Sequence, residues 1–172
     1  MDIFAAIMDR RSVRKFDAAR PVSREALERI VVAGVEAPSG CNMQLRQFVI
    51  VDDPALMAKL APFNRALPTA PACIAILAEP KASPYGEYWR QDASASMQNM
   101  LLAATGLGLA SCWIEGGLDK NEEKIREILG IPATLRVCSL VSIGYAAEPA
   151  QRPVKSLPRD VTHYNRFGKK AT

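Results

Sequence analysis

Apolar positions recur at helical spacing from the start of the chain. Ile3, Phe4, Ile7 and Met8 share one face within residues 1–10, with Asp2 placed to cap the start and Arg10 and Arg11 suited to the negative end of the dipole. The same spacing returns in residues 23–34, where Ser23 is a natural N-cap and Leu27, Ile30 and Val31 form the buried stripe. Residues 47–51 (QFVIV) and 72–78 (ACIAILA) are short apolar runs that predict strands, the second bracketed by Pro71 and Pro80. Between them Asp53-Pro54 predicts an N-cap and first helical residue, opening a helix to Leu60. Residues 90–105 place Ala93, Met97, Met100, Leu101 and Ala104 on one helical face, with Gly106 as the expected stop. A strand over 109–114, a helix over 120–129 stopped by Gly130, and a strand over 135–145 complete the pattern.

Helices and strands alternate without internal repeat, low-complexity block or domain boundary, which predicts one domain over residues 1–172 with a sheet covered on both sides. The remaining residues, 146–172, are proline-bearing and basic and carry Tyr164 and Phe167. A segment of that length is too long for an ordinary loop, so it is expected to dock, with a partner subunit as one surface for it.

Composition narrows the function classes. At 49% apolar residues the 172-residue chain can bury a full core. The net charge of +4 fits an anionic ligand, but the basic residues are scattered and no Lys/Arg run exceeds two, so nucleic acid is not expected. Four cysteines (Cys41, Cys73, Cys112, Cys138) form no CxxC pair, and His163 is the sole histidine, which leaves neither an obvious metal site nor a strong catalytic triad. The first residues do not read as a signal peptide, and no apolar run approaches the ~20 residues of a membrane span. A cytoplasmic protein with reduced thiols is expected.

Four stretches carry candidate chemistry. Arg10-Arg11-Ser12-Val13-Arg14 gathers three guanidinium groups and a hydroxyl; it can hold a phosphate, or be a solvated basic face after a helix. Ala37-Pro38-Ser39-Gly40-Cys41-Asn42-Met43-Gln44 presents several donors and acceptors able to read a carbonyl and imide edge, or is an ordinary turn into the next strand. Cys112-Trp113-Ile114-Glu115-Gly116-Gly117 ends a strand with glycines that let a ligand approach the backbone, or simply turns into a helix. Arg152 and Lys155 either complete a phosphate site or belong to a solvated linker. By contrast, Gly106-Leu107-Gly108-Leu109-Ala110-Ser111 approximates a dinucleotide-binding GxGxxG, but it follows a helix and enters a strand, the reverse of the required order, and reads as a helix stop.

Taken in order, these motifs resemble the FMN-dependent nitroreductase family over nearly the whole chain. RRSVRKF is similar to that family's flavin-phosphate segment, APSGCNMQ to its APSxxNxQ turn, DASASMQNMLLAATGLGLASCWIEG to its central helix and following strand, and THYNRFG to its usual ending. The resemblance implies an α+β fold with a central mixed β-sheet flanked by helices, an intertwined homodimer, and FMN sites at the subunit interface. Arg10, Arg11, Ser12 and Arg14 would come from one subunit and Pro38, Ser39, Asn42 and Gln44 from the other. Ile114, Glu115 and Gly116 would pass along the ring, and Arg152 and Lys155 would return to the phosphate. NADH or NADPH would serve as electron donor and a nitroaromatic, quinone or similar electron-poor small molecule as acceptor, in a ping-pong cycle with no side-chain nucleophile. Related flavin sites also carry dehalogenation or enone reduction, and a non-catalytic flavin-binding protein is the alternative outside enzymes. Two positions depart from the family. Leu45-Arg46 stands where it often has Pro-Trp or a similar pair, so Arg46 is expected to alter the cavity's polarity or the dimer contact. The family's further ring contact before the second strand has only Asn64 and Arg65 as candidates.

Overall fold

The protein, seen in a computed structural model, is described over residues 2–82 and 88–170. Met1 of the expected first helix and the last two residues of the 146–172 extension lie outside that range.

Helix α1 spans Ile3–Asp9 and α2 Arg24–Val35, and both start at the expected caps. The Asp2 carboxylate accepts from Phe4 N and the Ser23 hydroxyl from Ala26 N. Strand β1 (Arg46–Val51) leads to α3 (Pro54–Leu60), where Asp53 accepts from Leu56 N and Pro54 opens the helix. Strand β2 is Ala72–Ala78, and α4 runs Trp89–Gly106. Strand β3 is Ala110–Ile114, α5 Glu122–Leu129 and β4 Arg136–Gly144. A one-turn helix, α6 (Pro158–Val161), lies in the tail.

The sheet order is β1-β2-β4-β3, and all three pairings are antiparallel. The mixed character expected of the sheet is reduced to one parallel bridge, Ser12 with Ser111 on the outer edge of β3. Strand pairing is set by non-local contacts, so alternation of helices and strands along the sequence did not reveal it.

Every residue of β2 is buried, because both faces of the sheet are covered. Ala72, Ile74 and Ile76 pack with α2 and α4 (Leu27, Ile30, Met97, Met100). Cys73, Ala75 and Leu77 pack with α3 and α5 (Met57, Leu60, Ile125). Helices α2 and α4 approach closely at Gly34, where an added Cβ would lie 2.9 Å from the Met100 side chain. At Gly144 a Cβ would meet Phe16 at 2.9 Å and Pro71 at 2.7 Å. That glycine therefore lets the segment after Ser12 cross the end of β4, where Phe16 bridges Ala146.

Helix α4 ends at Gly106, as expected, and the turn that closes it is completed at Gly108. Gly108 is left-handed (φ 74°), and Leu109 N returns to Ala104 O at 2.9 Å, closing the helix end. The glycine pair is thus a helix terminator, as its order in the sequence implied.

Two surfaces stay apolar. On α1, Ile3, Phe4, Ile7 and Met8 are all exposed, Phe4 at 72%. In the tail Val154, Leu157, Val161, Tyr164 and Phe167 are exposed, Phe167 at 93%. The tail is nevertheless ordered on itself. Lys170 Nζ donates to the carbonyls of Arg159, Asp160 and Thr162, and the His163 and Phe167 rings lie 4.3 Å apart. Among the described residues no helix is long and apolar enough to cross a membrane.

Candidate functional site

The cationic segment is positioned by the end of α1 and the edge of β3. Arg10 caps α1, its N–H donating to Ala6 O at 2.9 Å. Ser12 then bridges Ser111, and Val13 N donates to Ser111 O at 2.9 Å. This short rung turns Val13 and Phe16 into the core and leaves Ser12, Arg14 and Lys15 facing solvent. Arg11 donates to Arg10 O at 2.6 Å and Arg14 to Ser12 O at 3.1 Å, so both side chains fold back along their own backbone.

A cleft of about 730 Å³ opens beside this segment, lined by Ser12, Arg14, Lys15, Arg65, Glu148 and Gln151 among others. Its acid, Glu148, pairs with Lys15 at 3.5 Å, which leaves Arg14 and Arg65 as the net charge of the wall. Cys112, at the middle of β3, reports the same field. Burial pushes its thiol up, while Arg14, Arg65 and Arg10 pull it the other way. The Arg10–Arg14 segment and Arg65, distant in sequence, thus both lie near one buried sulfur. Arg65 reaches the cleft because Asn64 turns the chain, its side chain accepting from Ala66 N at 2.9 Å. Arg152 returns from the tail to α1, its guanidinium 3.8 Å from Met8 Sδ, which brings it to the helix that ends at Arg10. Lys155 is exposed, and none of the contacts described here brings it to the cleft.

The 38–44 turn lies elsewhere. It leads into β1, at the opposite edge of the sheet from Ser12, four strand positions or ~19 Å away. The turn is held from within: Ser39 Oγ accepts from Gln44 N at 3.1 Å, and Gln44 Nε2 donates to Asn42 Oδ1 at 3.1 Å. These bonds leave the Ser39 O–H, the Asn42 amide N–H groups and the Gln44 carbonyl oxygen directed to other partners. The structure therefore brings Arg10, Arg11, Ser12, Arg14 and Arg152 to one side and Pro38, Ser39, Asn42 and Gln44 to the other.

Arg46 turns inward rather than toward a cavity. Its guanidinium donates to Ala37 O (2.9 Å), Pro38 O (3.1 Å), Asp92 O (3.3 Å) and Ser96 Oγ (2.9 Å). Burial lowers its pKa from the usual arginine value, partly offset by the charge of Asp92.

At the end of β3, Ile114 is 1% exposed and belongs to the core. Glu115 and Gly116 are exposed in the turn closed by Leu118 N donating to Glu115 O at 3.1 Å. Nearby, Glu122 anchors α5 to β4. Burial works against its charge, but Arg136 Nε at 2.8 and 2.9 Å and Val137 N at 2.9 Å hold it below the usual carboxylate range.

The donor set fits an aromatic phosphate ligand such as FMN: convergent guanidinium groups beside an open cleft for a phosphate of about −1.5 to −2 charge, and a turn of neutral donors and acceptors for a ring edge.

The sequence matches the profile of the Nitroreductase family over residues 7–72 and 62–145. It is 41% identical over 146 residues to a protein of Archaeoglobus fulgidus named for NADH dehydrogenase/NAD(P)H nitroreductase activity, covering 81% of this chain and 82% of that one. Among solved structures, the FMN-dependent nitroreductase of Clostridium difficile R20291 is similar with a TM-score of 0.84 and 31% identity, covering 95% of this chain and 99% of that one. A Desulfovibrio desulfuricans structure described as a nitroreductase in complex with FMN has a TM-score of 0.83 at 28% identity, covering 96% of this chain and 98% of that one. With its motifs, its fold and these matches in agreement, the chain belongs to the nitroreductase family.

Proposed function

We propose that the protein is an FMN-dependent NAD(P)H oxidoreductase acting on nitroaromatics, quinones or similar electron-poor acceptors, as a homodimer with FMN at the subunit interface in the cytoplasm. When bound, FMN supplies the redox chemistry: hydride taken from NADH or NADPH and delivered to the acceptor in a ping-pong cycle. The observation that carries this reading is the meeting of Arg14 and Arg65 in the wall of the cleft, with Arg10 at the end of α1 just before that segment.

Each group of residues has a distinct task. Arg10, Arg11, Ser12 and Arg14, joined by Arg152 and Lys155, bind the phosphate and ribityl end by charge-assisted hydrogen bonds. Arg14 and Arg65 place positive charge where a ring gains electrons, which favours hydride acceptance. Pro38, Ser39, Asn42 and Gln44 of a second copy read the ring's polar edge, with the Gln44 carbonyl oriented by its amide's bond to Asn42. The backbone at Ile114, Glu115 and Gly116 borders the ring.

Two observations support the two-copy arrangement. The halves of the site lie at opposite edges of one sheet. The exposed apolar residues of α1 and of the tail form patches of the kind that mark subunit contacts, and β1 has no outer partner among the described residues. Residues 146–172 are proposed to dock on the second copy.

The test is the absorption spectrum of the purified protein. It is expected to be yellow with stoichiometric FMN and to bleach under anaerobic NADH or NADPH, recovering on addition of a nitroaromatic or quinone. A colourless protein that takes up no added FMN contradicts the reading. Bound FMN that stays oxidised under both nicotinamides indicates a flavin-binding protein without this activity.

A further inference from the structure

The 38–44 turn has a backbone that its sequence does not favour. Cys41, Asn42 and Gln44 all have positive φ (49°, 54° and 53°), a region that residues with a Cβ adopt only when the surroundings enforce it. No glycine stands at any of the three positions, although Gly40 is adjacent. The bonds of Ser39, Asn42 and Gln44 within the turn support this backbone, and contacts from outside the turn add to them.

The contacts from outside come from Arg46 on β1 and from Asp92 on α4. Arg46 Nη2 donates to Ala37 O, and Nη1 is shared among Pro38 O, Asp92 O and Ser96 Oγ. Ser96, itself fully buried, donates a hydrogen bond from its hydroxyl to Gly34 O at 2.7 Å, tying in the end of α2. The Asp92 carboxylate accepts from Gly40 N at 2.9 Å. The end of α2, the turn, β1 and α4 are thus pinned around a single planar cation. The arrangement also consumes the Ala37 and Pro38 carbonyls, so the groups left outward are those of Ser39, Asn42 and Gln44.

We propose that Arg46 is the positioning residue that holds the 38–44 turn in its ligand-binding conformation and so sets the affinity of the site for FMN; the second half of this rests on the flavin reading above. A lysine cannot substitute, because a single ammonium lacks the planar fork that spans acceptors on the turn and on α4 at once. Arg46 touches no reacting atom. It acts by removing the ordering cost that a free turn would impose on binding.

The test uses the full-length protein with Arg46→Lys and Arg46→Met. Hydrogen exchange of the Asn42, Met43 and Gln44 amides, which bond within the turn, is measured without flavin. Their protection is expected to fall in both variants while amides of β2 and β4 keep theirs. FMN dissociation constants, from flavin fluorescence, are expected to rise about tenfold or more, and methylguanidinium is expected to recover part of the affinity in Arg46→Ala. The wild-type dissociation constant in Arg46→Lys, or unchanged turn protection, overturns the proposal. If Arg46→Met does not fold, Arg46→Lys alone decides by the same two readings. If the wild-type protein binds no FMN, the functional reading fails by itself, and the exchange measurement still decides whether Arg46 clamps the turn.

Discussion

The two halves of the site are built on opposite principles. The segment at Arg10–Arg14 is cationic, largely exposed, and fixed to the fold by the Ser12–Ser111 rung, the burial of Val13, and the Phe16–Ala146 bridge that follows it. Its guanidinium groups fold back on nearby carbonyls and can swing to a ligand. The 38–44 turn presents neutral groups, contains three left-handed residues other than glycine, and is tied to its surroundings at Pro38 by Arg46 and at Gly40 by Asp92. On the flavin reading proposed above, the first half would attract a charged ligand at long range and tolerate variation in its geometry. The second would discriminate by shape and hydrogen-bond pattern, and only while its frame is intact. Long-range capture and fine reading would then fall to different edges of the sheet.

The largest expected effect comes from the cationic half. Replacing Arg10 and Arg14 together by Ala removes two charge-assisted contacts of ~1.5–3 kcal/mol each. FMN affinity is expected to fall about a hundredfold or more in a fluorescence titration, with a shallower dependence on ionic strength than the wild type. Equal salt dependence would break the contrast between the halves.

A change in the scaffold separates site from support. Glu122 has its folded pKa lowered from the usual value of about 4.3 by Arg136 and Val137 N. Its stabilising contribution is present above that usual value and is lost as pH falls through the lowered one. Glu122→Gln is expected to cost about 2 kcal/mol in urea unfolding at neutral pH and to flatten the acid limb of stability, while leaving FMN affinity unchanged. A large loss of affinity would mean that the site depends on the α5–β4 joint.

The smallest effect sharpens the role of the turn. Cys41→Gly removes the penalty of φ 49° and is expected to shift stability by no more than about 1 kcal/mol, while lowering FMN affinity severalfold because the loosened turn must be ordered on binding. Higher affinity would show that the held conformation opposes the ligand.

Much of this was legible in the chain because the signals are local. Asp2, Ser23 and Asp53-Pro54 cap the helices they precede, Gly130 ends α5 in a left-handed conformation, and the apolar run at 72–78 is the doubly covered strand. The spread of the site residues over two edges of the sheet fits the assignment that the family resemblance implied. Arg65, one of the two candidates for a further ring contact, is aimed into the cleft by a turn at Asn64. Two features were not legible. The antiparallel order of the sheet depends on which strands meet. Arg46 spends its charge on carbonyls of Ala37, Pro38 and Asp92, and since every residue, proline included, carries a backbone carbonyl, no residue type announces such a partner.

The central claim is that one FMN takes its cations from one chain and its turn from another, and co-expression of two defective chains tests it most directly. One chain carries Arg10→Ala with Arg14→Ala, the other Ser39→Ala with Asn42→Ala, and each alone is expected to lose the flavin. In the mixed dimer one of the two sites regains both intact halves, so the purified heterodimer should hold about half-stoichiometric FMN and bleach with NADH or NADPH. A heterodimer as empty as its parents would contradict the account, since it would place both halves of each site within a single chain.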